Sequence, residues 1–160
     1  MKSIIIYATK YGTAAKAAEM LKARMEGDVR LINIMKEIVP PLAGYDTVIL
    51  GGSIYAGKVQ KELLEYVHAN LPLLLRKRVG LFICAGDPDE KVREEEHQNA
   101  FPPELHEHAA AREVFGYEFH LDQLHFFDKF LLRMVKGVKE DVSALSEEKI
   151  NHFAEVMAAK

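Results

Sequence analysis

The chain has 160 residues, 49% of them hydrophobic and 28% charged, a balance that excludes disorder and coiled coil. Its 24 acidic and 21 basic residues leave a formal net charge of −3, so nothing electrostatic points to nucleic acid, whose binders carry a clear basic excess. A lone cysteine, Cys84, excludes an internal disulfide and suits a reducing cytoplasm.

This length fits one domain, 1–160, which can bury a core without disulfide or metal staples. The apolar run 4–8 is too short and too early for a secretion signal. No run approaches the roughly 20 apolar residues that cross a bilayer. The expected location is the cytoplasm, with contact at the inner face of the membrane left open.

Ile4, Ile5, Ile6, Tyr7 and Ala8 form a β-branched apolar run without alternation, the pattern of a strand covered on both faces. After a turn at 9–12 the period changes. Ala14, Ala17, Ala18, Leu21 and Met25 recur at helical spacing, with Gly27 as the stop. Residues 29–34 are a second strand, followed by an irregular link through Pro40 and Pro41. Residues 47–50 are a third buried strand ending at Gly51, Gly52 and Ser53. A helix over 58–70 places Leu63, Tyr66 and Val67 on one face, and 79–85 is a fourth strand in which Cys84 is a small buried hydrophobe. The stretch 89–111 is polar and acidic and is broken at Pro102 and Pro103. Residues 113–121 are a fifth, less apolar strand nearer an edge, and helices at 124–137 and 146–158 complete the chain.

Strands alternating with helices imply βαβ units and a parallel sheet with helices on both faces. Five such strands suggest the order 2-1-3-4-5, whose switch point lies between the first and third strands. Ligands bind beyond the carboxyl ends of such strands, so the loops at 9–14 and 53–58 should face one crevice.

In the first loop, Gly12 permits a tight path and the following helix start offers N–H donors to an anion. The hydroxyls of Thr9 and Thr13, the charge of Lys10, and the backbone of Tyr11 and Ala14 complete this candidate phosphate site. A strand-to-helix turn with no ligand is the alternative. The second loop, Ser53, Ile54, Tyr55, Ala56, Gly57 and Lys58, offers small residues for close backbone approach to a planar ring, with Ile54 and Tyr55 as cover. A surface turn with Tyr55 packed locally explains the same residues. Residues 52–58 also match the start of a P-loop, but Val59 stands where the magnesium-binding hydroxyl belongs, which argues against a nucleoside triphosphate. The third loop, Ala85, Gly86 and Asp87, closes over the outer edge of a ring, with Asp87 as an acceptor or a helix cap.

Other chemistry is weaker. His106 and His108 are two apart and point different ways on a helix, so a solvated polar helix fits better than a metal site. Nine carboxylates between 87 and 113 face only Lys91, Arg93 and Arg112, a solvated face or a dock for a basic redox partner. A receiver domain needs an aspartate after the third strand, and this chain has glycines. In 124–139, Leu124, Phe127, Leu131, Met134 and Val135 sit near helical spacing beside Lys129, Arg133, Lys136 and Lys139. Either this is a core stripe with a basic outer face, or it meets an anionic membrane or an acidic substrate.

Residues 7–13 resemble the phosphate loop of flavodoxins, and 45–58 resemble their next flavin-contacting segment. More narrowly, the chain is similar to the menaquinone-dependent protoporphyrinogen dehydrogenase group of flavodoxin-domain proteins. That likeness covers nearly the whole chain and is carried by Ser53, Ile54 and Gly57, by Val114, Phe115 and Gly116, and by Phe127, Asp128 and Lys129 running into Arg133 and Lys136. Ala14 departs from the pattern, since many flavodoxins have a hydroxyl there, and the tail after Lys139 diverges.

The resemblance implies a flavodoxin-like three-layer α/β sandwich on a five-stranded parallel sheet, with FMN as cofactor and no metal. The phosphate would lie at 9–14 and the ring between 53–58 and 85–89; no acid–base residue stands out. The implied function is an oxidoreductase, extending to a protoporphyrinogen dehydrogenase that takes hydrogen from a porphyrinogen and passes electrons to a quinone. The alternative is a small electron carrier with redox partner proteins only. A further reading is an interaction module without its cofactor.

Overall fold

A computed structural model describes residues 2–55, 57–87, 89–119, 142–143 and 145–159. Five parallel strands form the central sheet in the order β2-β1-β3-β4-β5: β1 (Lys2–Ala8), β2 (Asp28–Asn33), β3 (Thr47–Ser53), β4 (Arg78–Cys84) and β5 (Ala111–Val114). The expected order and switch point are therefore both observed.

Alternate residues of the central strands feed two cores. Ile4 and Ile6, Val48 and Leu50, and Leu81 and Ile83 share one core with Leu63, Val67 and Leu74 of α2 (Lys61–Leu74). That core also takes Ala100 of α3 (Glu90–Ala100) and Leu105 of α4 (Pro103–His108). Ile5, Ile49 and Phe82 face the opposite way. They pack on Ala14, Ala17, Ala18 and Leu21 of α1 (Thr13–Ala23) and on Ile150, Phe153 and Met157 of α5 (Glu147–Ala158). The result is helix, sheet, helix. Because both faces are covered, the strands carry unbroken apolar runs.

Several boundaries differ from expectation. The first helix ends at Ala23, before Gly27, which takes a left-handed φ of 85° beyond it. The second helix begins at Lys61, since Lys58 is held in a turn with Tyr55. The acidic stretch after 89 holds the two helices α3 and α4, divided at Phe101 and Pro102. The strand expected over 113–121 is only Ala111–Val114. Gly116, at φ 97°, turns the chain out of the sheet, and Glu118–Phe119 (β6) pairs antiparallel with Val142–Ser143 (β7) instead. The basic helix expected at 124–137 lies outside the described residues.

Candidate functional site

The strands β1, β3 and β4 end level. Ala8 lies opposite Gly52, Ser53 lies opposite Cys84, and the Ile54 amide donates to the Cys84 carbonyl at 2.9 Å. The loops that follow therefore leave one edge of the sheet together, as the strand order requires.

In the first loop the Gly12 amide donates to Thr9 Oγ1 at 2.9 Å, closing a tight turn before α1. Gly12 has φ 92°, and a Cβ built there would meet nothing within 4 Å, so its backbone lies open. The helix begins with no side-chain cap and no acidic residue in its first turn. Its first amides thus carry positive potential with no carboxylate to offset it. Thr13 and Ala14 are buried at the helix start, and Thr9 Oγ1 lies 3.4 Å from Ser53 Oγ, which ties this loop to the second.

The second loop is a compact turn. Tyr55 and Lys58 exchange backbone hydrogen bonds of 2.9 and 3.1 Å, with Gly57 between them at φ 80°, the left-handed value a type II turn needs at its second central residue. Ala56 lies outside the described residues. Ile54 is buried in the core below. The Tyr55 ring meets Tyr11 edge-on at 6.5 Å, and Lys10 Nζ sits 3.4 Å from the Tyr55 ring centroid.

A cavity of about 310 Å³ lies between these loops, lined by Thr9, Lys10, Met35, Tyr55, Lys58, Val59 and Gln60. Met35, Val59 and Gln60 were not among the expected site residues. Met35 follows β2, which borders β1, so the strand order alone could have flagged it. Gln60 Oε1 is buried there without a hydrogen-bond partner.

The third loop is arranged differently from expectation. Asp87 is not the helix cap: its Oδ1 accepts from the Asp89 amide at 2.8 Å, and Asp89 caps α3 by accepting from the Lys91 amide at 2.9 Å. Arg93 then donates to the Asp87 carbonyl at 2.5 Å, pinning the loop to the helix. Ala85 is buried, Gly86 and Asp87 are half-buried, and none of the three lines the cavity between the first two loops.

Gly52 also serves another purpose than approach to a ring. A Cβ there would come within 3.1 Å of both Val59 and Leu63, so its smallness is used by packing beneath the loop. Cys84 is fully buried, and desolvation raises its thiol far above the ordinary range, which leaves it chemically inert.

Away from the crevice, His106 is buried rather than solvated, and its Nε2 donates to the His97 carbonyl at 2.7 Å. His108 points elsewhere and is exposed, as expected for residues two apart on a helix. The His97 and His106 rings lie 5.0 Å apart. Burial, with His106 adding to it, lowers the His97 pKa below 6.5. Beside it, burial and Asp87 raise the Glu96 carboxyl above 4.5 against an opposing pull from Arg93. Among the described residues no group of His, Cys, Asp and Glu is placed to hold a metal, and no helix is long and apolar enough to cross a membrane.

Comparison with solved structures agrees with this architecture. A reduced flavodoxin from Megasphaera elsdenii superposes with a TM-score of 0.56 at 16% identity, covering 98% of this chain and 99% of that one. Flavodoxin 1 from Bacillus cereus gives 0.53 at 16%, covering 87% and 100%. Rubredoxin oxygen:oxidoreductase from Desulfovibrio gigas gives 0.50 at 16%; this chain, covered over 99% of its length, spans only 37% of that protein. A search of the curated proteins finds no match. The family model described as "Flavodoxin domain" matches residues 4–146. On that match the chain belongs to the flavodoxin-domain family, and FMN is the cofactor that membership implies.

Proposed function

We propose that the chain is a redox domain that holds FMN where its first, second and third loops converge, and that it passes electrons between partners. The observation that carries this reading is the open glycine turn at the uncapped start of α1, tied to the Tyr55 turn by Thr9 and Ser53. The residues present fit the cofactor. A phosphate dianion suits a helix start with unoffset positive potential and a backbone that no Cβ obstructs. A planar ring suits the small residues Gly57, Ala85 and Gly86 in the loops that follow the neighbouring strands β3 and β4.

When bound, FMN supplies the electron-transfer chemistry, and the protein supplies binding, orientation and electrostatics. Thr9, Gly12, Thr13 and Ala14 would hold the phosphate through amides and hydroxyls, the Gly12 amide on release from Thr9 Oγ1, with Tyr11 and Lys10 flanking it. Ser53 and Ile54 set the height of the second loop, and Tyr55, Gly57 and Lys58 shape its rim. Asp87 is turned toward the Asp89 amide, which keeps its negative charge engaged in its own loop rather than directed at the ring. Cys84 is too deeply buried to relay electrons as a thiolate.

The finer reading, oxidation of a porphyrinogen with a quinone as acceptor, rests on the resemblance carried by Ser53, Ile54 and Gly57, by 114–116 and by 127–136. Phe127, Asp128, Lys129, Arg133 and Lys136 lie outside the described residues, as does the membrane contact proposed for 124–139. The carrier reading, with redox partner proteins only, rests on the family. A turnover assay with FMN-loaded chain, protoporphyrinogen and menaquinone separates the two. Porphyrin formation coupled to quinol establishes the enzyme; no turnover from a chain whose flavin is reduced and reoxidised normally leaves the carrier.

A further inference from the structure

A single exposed apolar side chain needs no explanation, but two on one turn beside a cavity do. Among the described residues the large apolar side chains left exposed are Met35, Ile38 and Leu73, and the first two belong to the stretch that leaves β2. Leu73 lies at the other end of α2 from this crevice. Ile38 is 94% exposed. The turn beneath it is tightly held: the Lys36 and Glu37 amides donate to the Asn33 carbonyl at 3.0 and 2.8 Å, and the Met35 amide donates to Asn33 Oδ1 at 3.0 Å. Met35 is thereby fixed in the wall of the cavity it shares with Tyr55 and Val59, and Ile38 follows three residues later, bare to water.

Charge divides across the same edge of the sheet. Lys36 and Lys58 are exposed on the flank formed after β2 and β3, and the turn's own acid, Glu37, is folded back to accept from the Asn33 amide at 3.2 Å. Beyond the third loop, on the β4 flank, α3 exposes Glu90, Glu94 and Glu95. We infer that the turn bearing Met35 and Ile38, with Lys36 and Lys58 beside it, is the docking surface for an acidic electron-transfer protein that covers Ile38 with an apolar spot of its own. This role rests on the FMN reading above. Such an interface needs an apolar centre that loses water on contact and a charged rim that steers and orients. Met35 and Ile38 supply the centre, and Lys36 and Lys58 the rim. The carboxylates of α3 repel the same partner, which confines its approach to the β2 flank. An anionic membrane would meet the same lysines, but a cavity wall beside one bare isoleucine suits a shaped protein surface better than a sheet of lipid.

The test is the rate at which the FMN-loaded, photoreduced chain passes one electron to the Cu(II) of plastocyanin, a strongly acidic protein, or to the Fe(III) of cytochrome c, a basic one. A chain of net charge −3 with no basic flank would repel plastocyanin, and salt would speed the reaction by screening. The inference requires the opposite: plastocyanin is reduced fastest at low ionic strength and severalfold slower at high salt. Lys36→Glu should slow it roughly threefold at low salt, and Ile38→Ser should raise its half-saturating concentration roughly tenfold. Both residues are exposed and lie outside the loops assigned to FMN, so FMN uptake should match wild type in each variant. Cytochrome c reduction should be unaffected by Ile38→Ser. A plastocyanin rate that rises with salt overturns the inference, as does an unchanged half-saturating concentration in Ile38→Ser. Wild-type chain that sediments with phosphatidylserine vesicles, and ceases to in Ile38→Ser, assigns the turn to a membrane and overturns it too. Any of these with normal FMN uptake brings down the inference alone, whereas wild-type chain that takes up no FMN brings down the FMN reading and the inference together.

Discussion

Gly12 and Gly51 look alike in the sequence, each ending a buried strand or opening a turn, but the structure uses them for opposite reasons. At Gly12 a Cβ would meet nothing, and the left-handed φ of 92° is what demands glycine. At Gly51 the backbone is ordinary, but a Cβ would fall 2.0 Å from Phe82 Cζ, inside a ring that stacks on Phe115 at 4.9 Å. Gly51→Ala should therefore destabilise the chain by about 1–3 kcal/mol through overpacking, read as a lower denaturant midpoint. An unchanged midpoint would contradict the packing described here. The sequence marks both glycines as special without saying whether conformation or contact is the reason, because the contact is made by a residue on the neighbouring strand. The buried pair on α3 is a second residue-scale case. His97 is 3% exposed with Nε2 unpartnered, and its folded-state pKa lies below 6.5. The unfolded chain then binds the proton more readily, so stability should fall as pH drops through 6.5 toward the folded value. Glu96 has the opposite sign. Its folded pKa is raised above 4.5, so stability is lost as pH rises from 4.5 through the folded value. Urea unfolding between pH 5 and 8 should give a flatter profile for His97→Leu than for wild type, while Glu96→Gln should be more stable at neutral pH. Identical profiles for wild type and His97→Leu would contradict this.

At the scale of elements, α3 was the least legible part of the fold. It has no apolar stripe: its buried residues are Glu96, His97 and Ala100, so the hydrophobic period that reveals α1 is absent. What could have been seen is its start, since Asp89 precedes a run of helix formers and does accept from the Lys91 amide. Asp89→Ala should cost about 1 kcal/mol as a lost cap, measured as a lower unfolding temperature. Asp87→Ala should cost less, since Asp87 accepts only from the loop amide of Asp89. Equal losses from the two would return Asp87 to the capping role that the sequence suggested. The edge strand β5 was overextended for a related reason. The apolar and aromatic residues 114–119 continue a strand-like composition, but Gly116 at φ 97° redirects the chain, and a glycine in a strand-like run does not announce that by itself.

At the scale of the molecule, the sheet order was legible because its strands are buried on both faces. Ile4, Ile5 and Ile6, Val48, Ile49 and Leu50, and Leu81, Phe82 and Ile83 are all fully buried, and no other arrangement of helices and strands accounts for such runs so simply. The first two loops of the crevice follow from that order. Met35 follows from it too, since it leaves the end of β2, the strand beside β1. The same frame makes ligand binding and stability one quantity. Free FMN at a hundred times its dissociation constant should stabilise the chain by about 2.7 kcal/mol, visible as a higher unfolding temperature. The central claim, however, concerns where the phosphate is held. The most direct measurement is a calorimetric titration of FMN into wild-type chain and into a Gly12→Val/Thr13→Val variant whose circular dichroism matches wild type. One equivalent bound by wild type, and affinity lower by about tenfold or more in the variant, is the predicted result, since the lost Thr13 hydroxyl takes away one charge-assisted hydrogen bond worth roughly 1.5 kcal/mol or more and a valine strains the turn at Gly12, whose φ is 92°. Undiminished affinity in the variant would contradict the account.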